Sequence, residues 1–184
     1  MLSEKMALMR ERTRSGYFRQ QRNTEVNFDA VLAACRQCRN NYETAAEFFC
    51  RIVDLEVPIL FPGERLHYTR FIGKRIPRPA WQGGSHWPME NLSPDYEFLL
   101  TEGLEGRLKR IDTELHTPGL TQEEKDFLLA AQKQLKCALA FSDRYAAAAE
   151  ANGDLHAAAL LRKVPRHPAE TLCEALQSIY FFSA

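Results

Sequence analysis

The sequence predicts a mainly α-helical protein. Three observations carry this prediction. Apolar residues recur at three- and four-residue spacing, as in Leu172, Leu176, Ile179 and Phe182, which is the period of a helix with one face in a core. Side chains able to accept hydrogen bonds from free helix N–H groups head several such stretches: Asn27, Ser93, Thr121 and Asp154. Helix-ending pairs, Pro118-Gly119 and Asn152-Gly153, separate others.

Residues 1–26 are polar with sparse apolar positions, Met6, Met9, Tyr17 and Phe18. They are expected to form a helix, or an arm that orders against a partner surface. Asn27 is placed to cap a helix over 28–39, with Phe28, Val31, Leu32 and Cys35 on one face. Asn40-Asn41 reads as a turn. A second helix over 42–55, with the stripe Ala45, Phe48, Phe49, Ile52 and Val53, would complete a helical hairpin over 28–55.

Residues 58–93 are expected to be irregular. Pro58, Pro62 and Gly63 end the helical run, and Pro77, Pro79, Pro88, Gly83-Gly84, Trp81 and Trp87 follow without a period. A loop this long is usually functional or packed on a larger surface, and its aromatics argue against simple disorder.

Helices resume over 94–182. Ser93 is placed to cap the first, with Pro94 at its first position and Asp95 in its first turn. This stretch carries Tyr96, Leu99, Leu100, Leu104, Leu108 and Ile111, and Gly103 and Gly106 interrupt it. A glycine costs about 1 kcal/mol relative to alanine inside a helix, so the helix is expected to break there or to pack closely. Thr121 and Glu124 form a capping box. The long helix behind them runs to about Asn152, with Leu128, Leu135, Leu139, Tyr145 and Ala149 as its stripe. Asp154 opens a short helix over 155–163, and Val164-Pro165-Arg166-His167-Pro168 forms a loop.

In the last helix Pro168 suits the first position and Glu170 the first turn, where the positive helix end favours an acid. Its end, Ile179-Tyr180-Phe181-Phe182, is apolar all round, and such a helix needs protein on every side. This end therefore reads as the entrance to a core supplied by further protein.

Composition narrows the function classes. The 184 residues hold 24 Lys plus Arg and 24 Asp plus Glu, giving zero net charge. That argues against nucleic acid or an anionic membrane as the main partner, since both require a basic excess. The basic clusters Arg10, Arg12, Arg14 and Lys74, Arg75, Arg78 read as solvated surface. The first residues lead into a charged segment rather than a secretory signal. No apolar run approaches the roughly 18–20 residues of a membrane span. Five scattered cysteines, Cys35, Cys38, Cys50, Cys137 and Cys173, suggest reduced thiols in a cytoplasmic protein.

The residues name no reaction. Cys35-Arg36-Gln37-Cys38 has CxxC spacing, but a zinc site needs two further ligands at short spacing, and a thioredoxin-like site needs a preceding strand. Two thiols on a helix is the simpler reading. The histidines His67, His86, His116, His156 and His167 lack the i, i+4 pairing of a helical metal site. There is no phosphate loop, dinucleotide fingerprint or nucleophile elbow. No catalytic, cofactor-binding or metal residue is assigned. His67, Arg70, Trp81, His86 and Trp87, together with Tyr68, are candidates for a pocket wall. Leu172, Leu176, Ile179, Tyr180, Phe181 and Phe182 are candidates for an interface with further protein, a missing portion or a partner.

Three stretches carry a family resemblance. VPRHPAETLCEALQSIYFF, residues 164–182, resembles a segment of glycyl radical enzymes of the pyruvate formate-lyase type. ENLSPDYEFLLTEGLEGR, residues 90–107, resembles that family's PDY and GL.G motif. TAAEFFCRIVDLEVPILFPGERL, residues 44–66, resembles the helix and GE turn near its N-terminus, and the helix over 123–150 fits the one preceding its VP motif. The order and spacing match over most of 40–182. Where the family has a Gly-His pair this chain has Glu90-Asn91, and His67 follows the Glu-Arg-Leu turn where a glycine is usual.

The resemblance implies the helical N-terminal region of a glycyl radical enzyme, lacking the catalytic α/β barrel. Residues 27–184 would be a partial domain of this type, with 1–26 as an added helix or arm. Complete family members are lyases, dehydratases or acyltransferases such as formate acetyltransferase, working in anaerobic metabolism. They use a protein glycyl radical installed by an S-adenosylmethionine iron–sulfur activase, and a cysteine thiyl radical abstracts the substrate hydrogen. Both the cysteine loop and the glycine loop lie beyond the matched stretch, so Cys173 is not assigned the catalytic role. The expectation is a fragment or split part that is inactive alone. Its partners would be the missing catalytic portion or a second copy, and the activase. The alternative is a stand-alone helical module that docks on a partner, or homodimerises, through its apolar last helix.

Overall fold

The computed structural model describes residues 3–17, 28–61, 63–67 and 95–183, and among these the regular structure is helical with no strand. The first helix, α1 (Glu4–Arg14), is capped by Ser3, whose hydroxyl accepts from the Met6 N–H. Glu4 in its first turn and Arg12 and Arg14 in its last complement the helix dipole. None of its residues is buried, and Met6, Leu8 and Met9 are exposed. The Tyr17 ring after it packs against Phe61 at 5.8 Å between centroids.

The expected hairpin is present, with shifted edges. Helix α2 (Phe28–Cys35) stops four residues early, because Gln37 and Cys38 donate to Ala34 and Cys35 in tight turns. Helix α3 (Asn41–Leu55) is capped by Asn40, whose side-chain oxygen accepts from the Glu43 N–H at 2.8 Å. Val31 and Cys35 of α2 pack with Ile52 of α3. The predicted stripe of α3 is rotated. Thr44, Ala46, Cys50, Ile52 and Val53 are buried, while Ala45 and Phe49 face outward. The reason is that α3 packs on two partners at once, α2 and the long helix α6 (Gln122–Ala151). Small residues such as Ala46 let these helix backbones approach. The Asn40 amide also donates to Asp126 of α6 at 2.8 Å, so one side chain caps α3 and ties it to its neighbour.

Helix α6 is the spine. It begins with the expected capping box, in which Thr121 and Glu124 satisfy each other's backbone N–H groups. Its buried face is Ala130, Leu139, Phe141, Ser142, Tyr145, Ala146 and Ala149. Arg144 donates to the carbonyls of Val53 and Asp54, closing the C-terminal end of α3. Asp154 caps α7 (Leu155–Lys163) through the Ala157 N–H at 2.9 Å. This helix folds back so that Ala157, Ala158 and Leu161 meet Tyr145, Ala146 and Ala149. Full burial of a side chain such as Leu161 contributes about 1.5–3 kcal/mol.

On the other flank lie α4 (Tyr96–Thr101) and α5 (Gly103–Leu115). Ser93 and Pro94 lie outside the described residues, as does Asn27, and Asp95 is the cap of α4, accepting from the Phe98 N–H at 3.1 Å. Leu99, Leu104 and Leu139 form a second core. The last helix, α8 (Leu172–Ser183), starts four residues later than Pro168 would suggest. Thr171 caps it, and Glu174 accepts the N–H groups of Glu170 and Thr171 in return. The carboxylate of Glu174 thereby terminates the extended link 168–170, and these backbone donors hold it below the ordinary carboxylate range.

Candidate functional site

Two junctions bring together residues from distant parts of the chain. The first is built on Gly103. Helix α4 ends at Thr101, and Gly103 adopts φ +71°, a conformation open to glycine, so that α5 starts in a new direction. The free N–H groups of Leu104 and Glu105 point at the loop 164–168. They donate to the carbonyls of Pro165 and Arg166 at 2.9 and 3.1 Å. In return the Ala169 N–H donates to the Leu100 carbonyl at 2.9 Å, near the end of α4. One short loop, entered through a cis Val164-Pro165 bond, therefore satisfies backbone groups at two helix ends. Val164 and Pro165 are fully buried. The Arg166 guanidinium pairs with Asp143 at 2.8 Å and with Glu105 at 3.0 Å, joining α5, α6 and the loop. The interruption expected at the glycines is real at Gly103, and close packing accompanies it.

The second junction is polar and buried. The Gln177 side chain of α8 accepts from the His67 backbone N–H at 3.0 Å and donates to the His67 carbonyl at 3.2 Å. It holds that segment as a neighbouring strand would. His67 is 4% exposed and Gln177 and Ser178 are fully enclosed. His67 Nδ1 lies 3.9 Å from the Glu64 carboxylate, and among the described residues neither this nitrogen nor Ser178 Oγ has a hydrogen-bond partner. Burial pushes the His67 imidazole below its usual range, with Asp154 opposing weakly. The Tyr145 phenol faces the same region. Burial pushes it up to about 12, against the Ile59 backbone contact that favours its charged form. Glu64 itself closes a turn, accepting from the Phe61 N–H at 3.3 Å.

Of the candidate pocket-wall residues, only His67 falls among those described. Tyr68, Arg70, Trp81, His86 and Trp87 lie outside them. His67 is a packed residue whose backbone is clamped. The apolar face expected of α8 is turned differently: Leu172 and Leu176 are 77% and 45% exposed, and the inward positions belong to Gln177 and Ser178. Ile179, Tyr180 and Phe181 are half-buried. Phe181 packs against both cores, with its ring 6.2 Å from that of Phe141. The side chain of Phe182 lies outside the described residues.

Sequence reasoning missed Gln177 and Ser178. Their signal was available: two uncharged polar residues inside an otherwise apolar helix end. The CxxC pair is split, with Cys35 at the end of α2 and Cys38 in the turn after it. The described residues bring no three His, Cys, Asp or Glu side chains together as a metal site. No described helix is long and apolar enough to cross a membrane. Both junctions position backbone and helices.

A search of curated proteins returned no match. Solved structures share the fold. A glycyl radical enzyme from Archaeoglobus fulgidus superposes with a TM-score of 0.66 at 16% identity, covering 88% of this chain and 32% of that one. A Roseburia inulinivorans protein studied for 1,2-propanediol dehydration and its substrate and enantiomer selectivity gives 0.63 at 16% identity, covering 83% and 30%. This chain thus spans about a third of the length of either structure. The pyruvate formate lyase-like family matches residues 88–184, the half that contains the Gly103 turn, the spine and the Val164-Pro165 loop. The chain belongs to the pyruvate formate lyase-like family.

Proposed function

We propose that this chain is the helical N-terminal part of a glycyl radical enzyme and supports a catalytic barrel without catalysing alone. Residues 27–184 would be the partial domain and 1–26 an appended helical arm. The observation that carries the reading is the Gly103–Arg166 junction, which lies inside the family match and joins the two motif stretches into one unit. The incomplete coverage of the structural neighbours supports it as well.

When complete, such an enzyme performs radical cleavage of a small polar metabolite, as a lyase, dehydratase or acyltransferase. The glycyl radical, set by an S-adenosylmethionine iron–sulfur activase, supplies hydrogen abstraction through a cysteine. That centre belongs to the catalytic portion. The residues of this chain hold helices in register, and the outward positions Leu172 and Leu176 on α8, with Ile179 and Tyr180 beside them, offer the docking face. Cytoplasmic, anaerobic work fits the free thiols and this chemistry.

The test is to produce the 184-residue chain alone and together with a barrel portion bearing the cysteine and glycine loops, each with an activase. Glycyl radical signal and lyase activity are expected only in the combination, with the two polypeptides co-eluting. A radical signal from this chain by itself would sink the proposal. A clean homodimer indifferent to the barrel portion would favour a stand-alone module.

A further inference from the structure

Two of the five cysteines meet in space. Cys50 on α3 and Cys137 on α6 face each other where these two helices pack together. The Cys137 thiol donates to the Cys50 carbonyl at 3.7 Å. The Cys50 thiol donates to the Lys133 carbonyl at 3.8 Å, one turn before Cys137 on the same face of α6. Each sulfur thus lies against the backbone that carries the other. Lys133, Glu47 and Asp54 surround Cys50, with Lys133 and Glu47 ion-paired, and Asp54 and Arg144 lie near Cys137. The neighbouring Cys137 thiol favours the charged form at Cys50, while the neighbouring Cys50 thiol and burial disfavour it at Cys137. Lys133 adds to the first effect.

We propose that Cys50 and Cys137 form a peroxide-responsive dithiol that closes to a disulfide linking α3 to α6. Cys50 is the attacking thiol and Cys137 the resolving one. The Cys50 thiolate takes one oxygen from hydrogen peroxide, breaking the O–O bond. Cys50 becomes a sulfenic acid, and the released hydroxide takes up the proton that the thiol gave to water. Cys137 sulfur then attacks the Cys50 sulfur. The S–S bond forms, the S–O bond breaks, and the hydroxyl leaves as water with the Cys137 proton. Two thiols lose two electrons and one peroxide becomes two waters. A small oxidant suits a thiol as enclosed as Cys50, and Cys137 is only half-buried. The exposed Cys173 is remote in role: it has no thiol partner in this cluster.

The experiment treats the 184-residue protein with hydrogen peroxide at low concentration, traps free thiols with a labelling reagent and maps cysteine peptides by mass spectrometry. The expected result is a peptide joined through Cys50 and Cys137, lacking two hydrogens and restored by reductant. Cys35→Ser and Cys38→Ser should retain the link. Cys137→Ser should lose it and raise over-oxidised Cys50 several-fold, because no resolving thiol remains. Cys50→Ser should leave Cys137 labelled as a free thiol. Folding of each variant is checked by helical circular dichroism, and Cys50→Ala serves if Cys50→Ser unfolds. A Cys35–Cys38 disulfide in place of the cross-helix link would overturn the proposal. So would irreversible oxidation of Cys50 in the unaltered protein, or both thiols remaining fully labelled.

Discussion

A β-carbon placed on Gly103 would lie 2.5 Å from the Arg166 carbonyl oxygen and 2.7 Å from the His167 carbonyl carbon. Both are backbone atoms, so neither moves out of the way as a flexible side chain would. The Arg166 carbonyl also receives the Glu105 N–H near the start of α5. Gly103 is therefore needed twice, for its left-handed backbone and for the missing side chain.

Gly103→Ala is expected to cost about 1–2 kcal/mol for the backbone conformation and a further ~1–3 kcal/mol for overpacking. Gly119→Ala is the control, since Gly119 has φ +89° with nothing within 4 Å. It should show only the conformational part. Urea unfolding of both variants checks this, and equal losses would mean that the close approach contributes nothing.

Gln177→Ala should release the segment that carries His67. It removes two hydrogen bonds from enclosed backbone groups, and each unsatisfied group costs about 1–3 kcal/mol. Hydrogen exchange should accelerate at residues 63–67 before it does in α6. Unchanged protection there would argue that the clamp is incidental.

The depressed imidazole of His67 sets a pH dependence. The unfolded chain protonates His67 below about 6.5, while the folded state resists because the ring is buried. The unfolded state then binds more protons, so stability is full above that value and declines as pH falls below it. His67→Asn keeps the backbone clamp and should flatten the decline below about pH 6.5. The lowered carboxylates Glu47 and Glu174 act in a separate window, below their ordinary value of 4.5. A slope at pH 6 that survives in His67→Asn would assign it elsewhere.

Arg166→Ala should cost on the order of 1 kcal/mol, because its partners Glu105 and Asp143 are partly solvated. Thermal unfolding in low and high salt should show this difference shrinking with ionic strength. A much larger, salt-independent loss would point to packing by the arginine stem.

Leu172→Lys and Leu176→Lys change exposed positions and should leave the stability of the chain within about 0.5 kcal/mol. Co-elution with the catalytic portion should weaken. Unaltered association would remove α8 from the proposed interface.

Much of the helix map was legible because caps and breakers act locally. Thr121 with Glu124, Asp154, and the Asn152-Gly153 end each satisfy or stop a helix within a few residues, so the spine and α7 follow from the chain alone. The break at Gly103 was also visible, though its reason was not. Facing could not be read in the same way. The stripe of α3 is turned by having two neighbours, and α8 is turned by Gln177 reaching the His67 backbone 110 residues earlier. A polar residue in an apolar helix says only that a partner is needed.

The sequence by itself determined where helices form, that the charge is balanced, and the order of motifs that places the chain in its family, because these depend on neighbours along the chain. Tertiary structure alone decided which carbonyls cap α5, which side of α8 is enclosed and which thiols meet. Each of those depends on groups distant in sequence being brought within a few ångströms, where an unsatisfied N–H or a misplaced methyl group costs more than local propensity can supply.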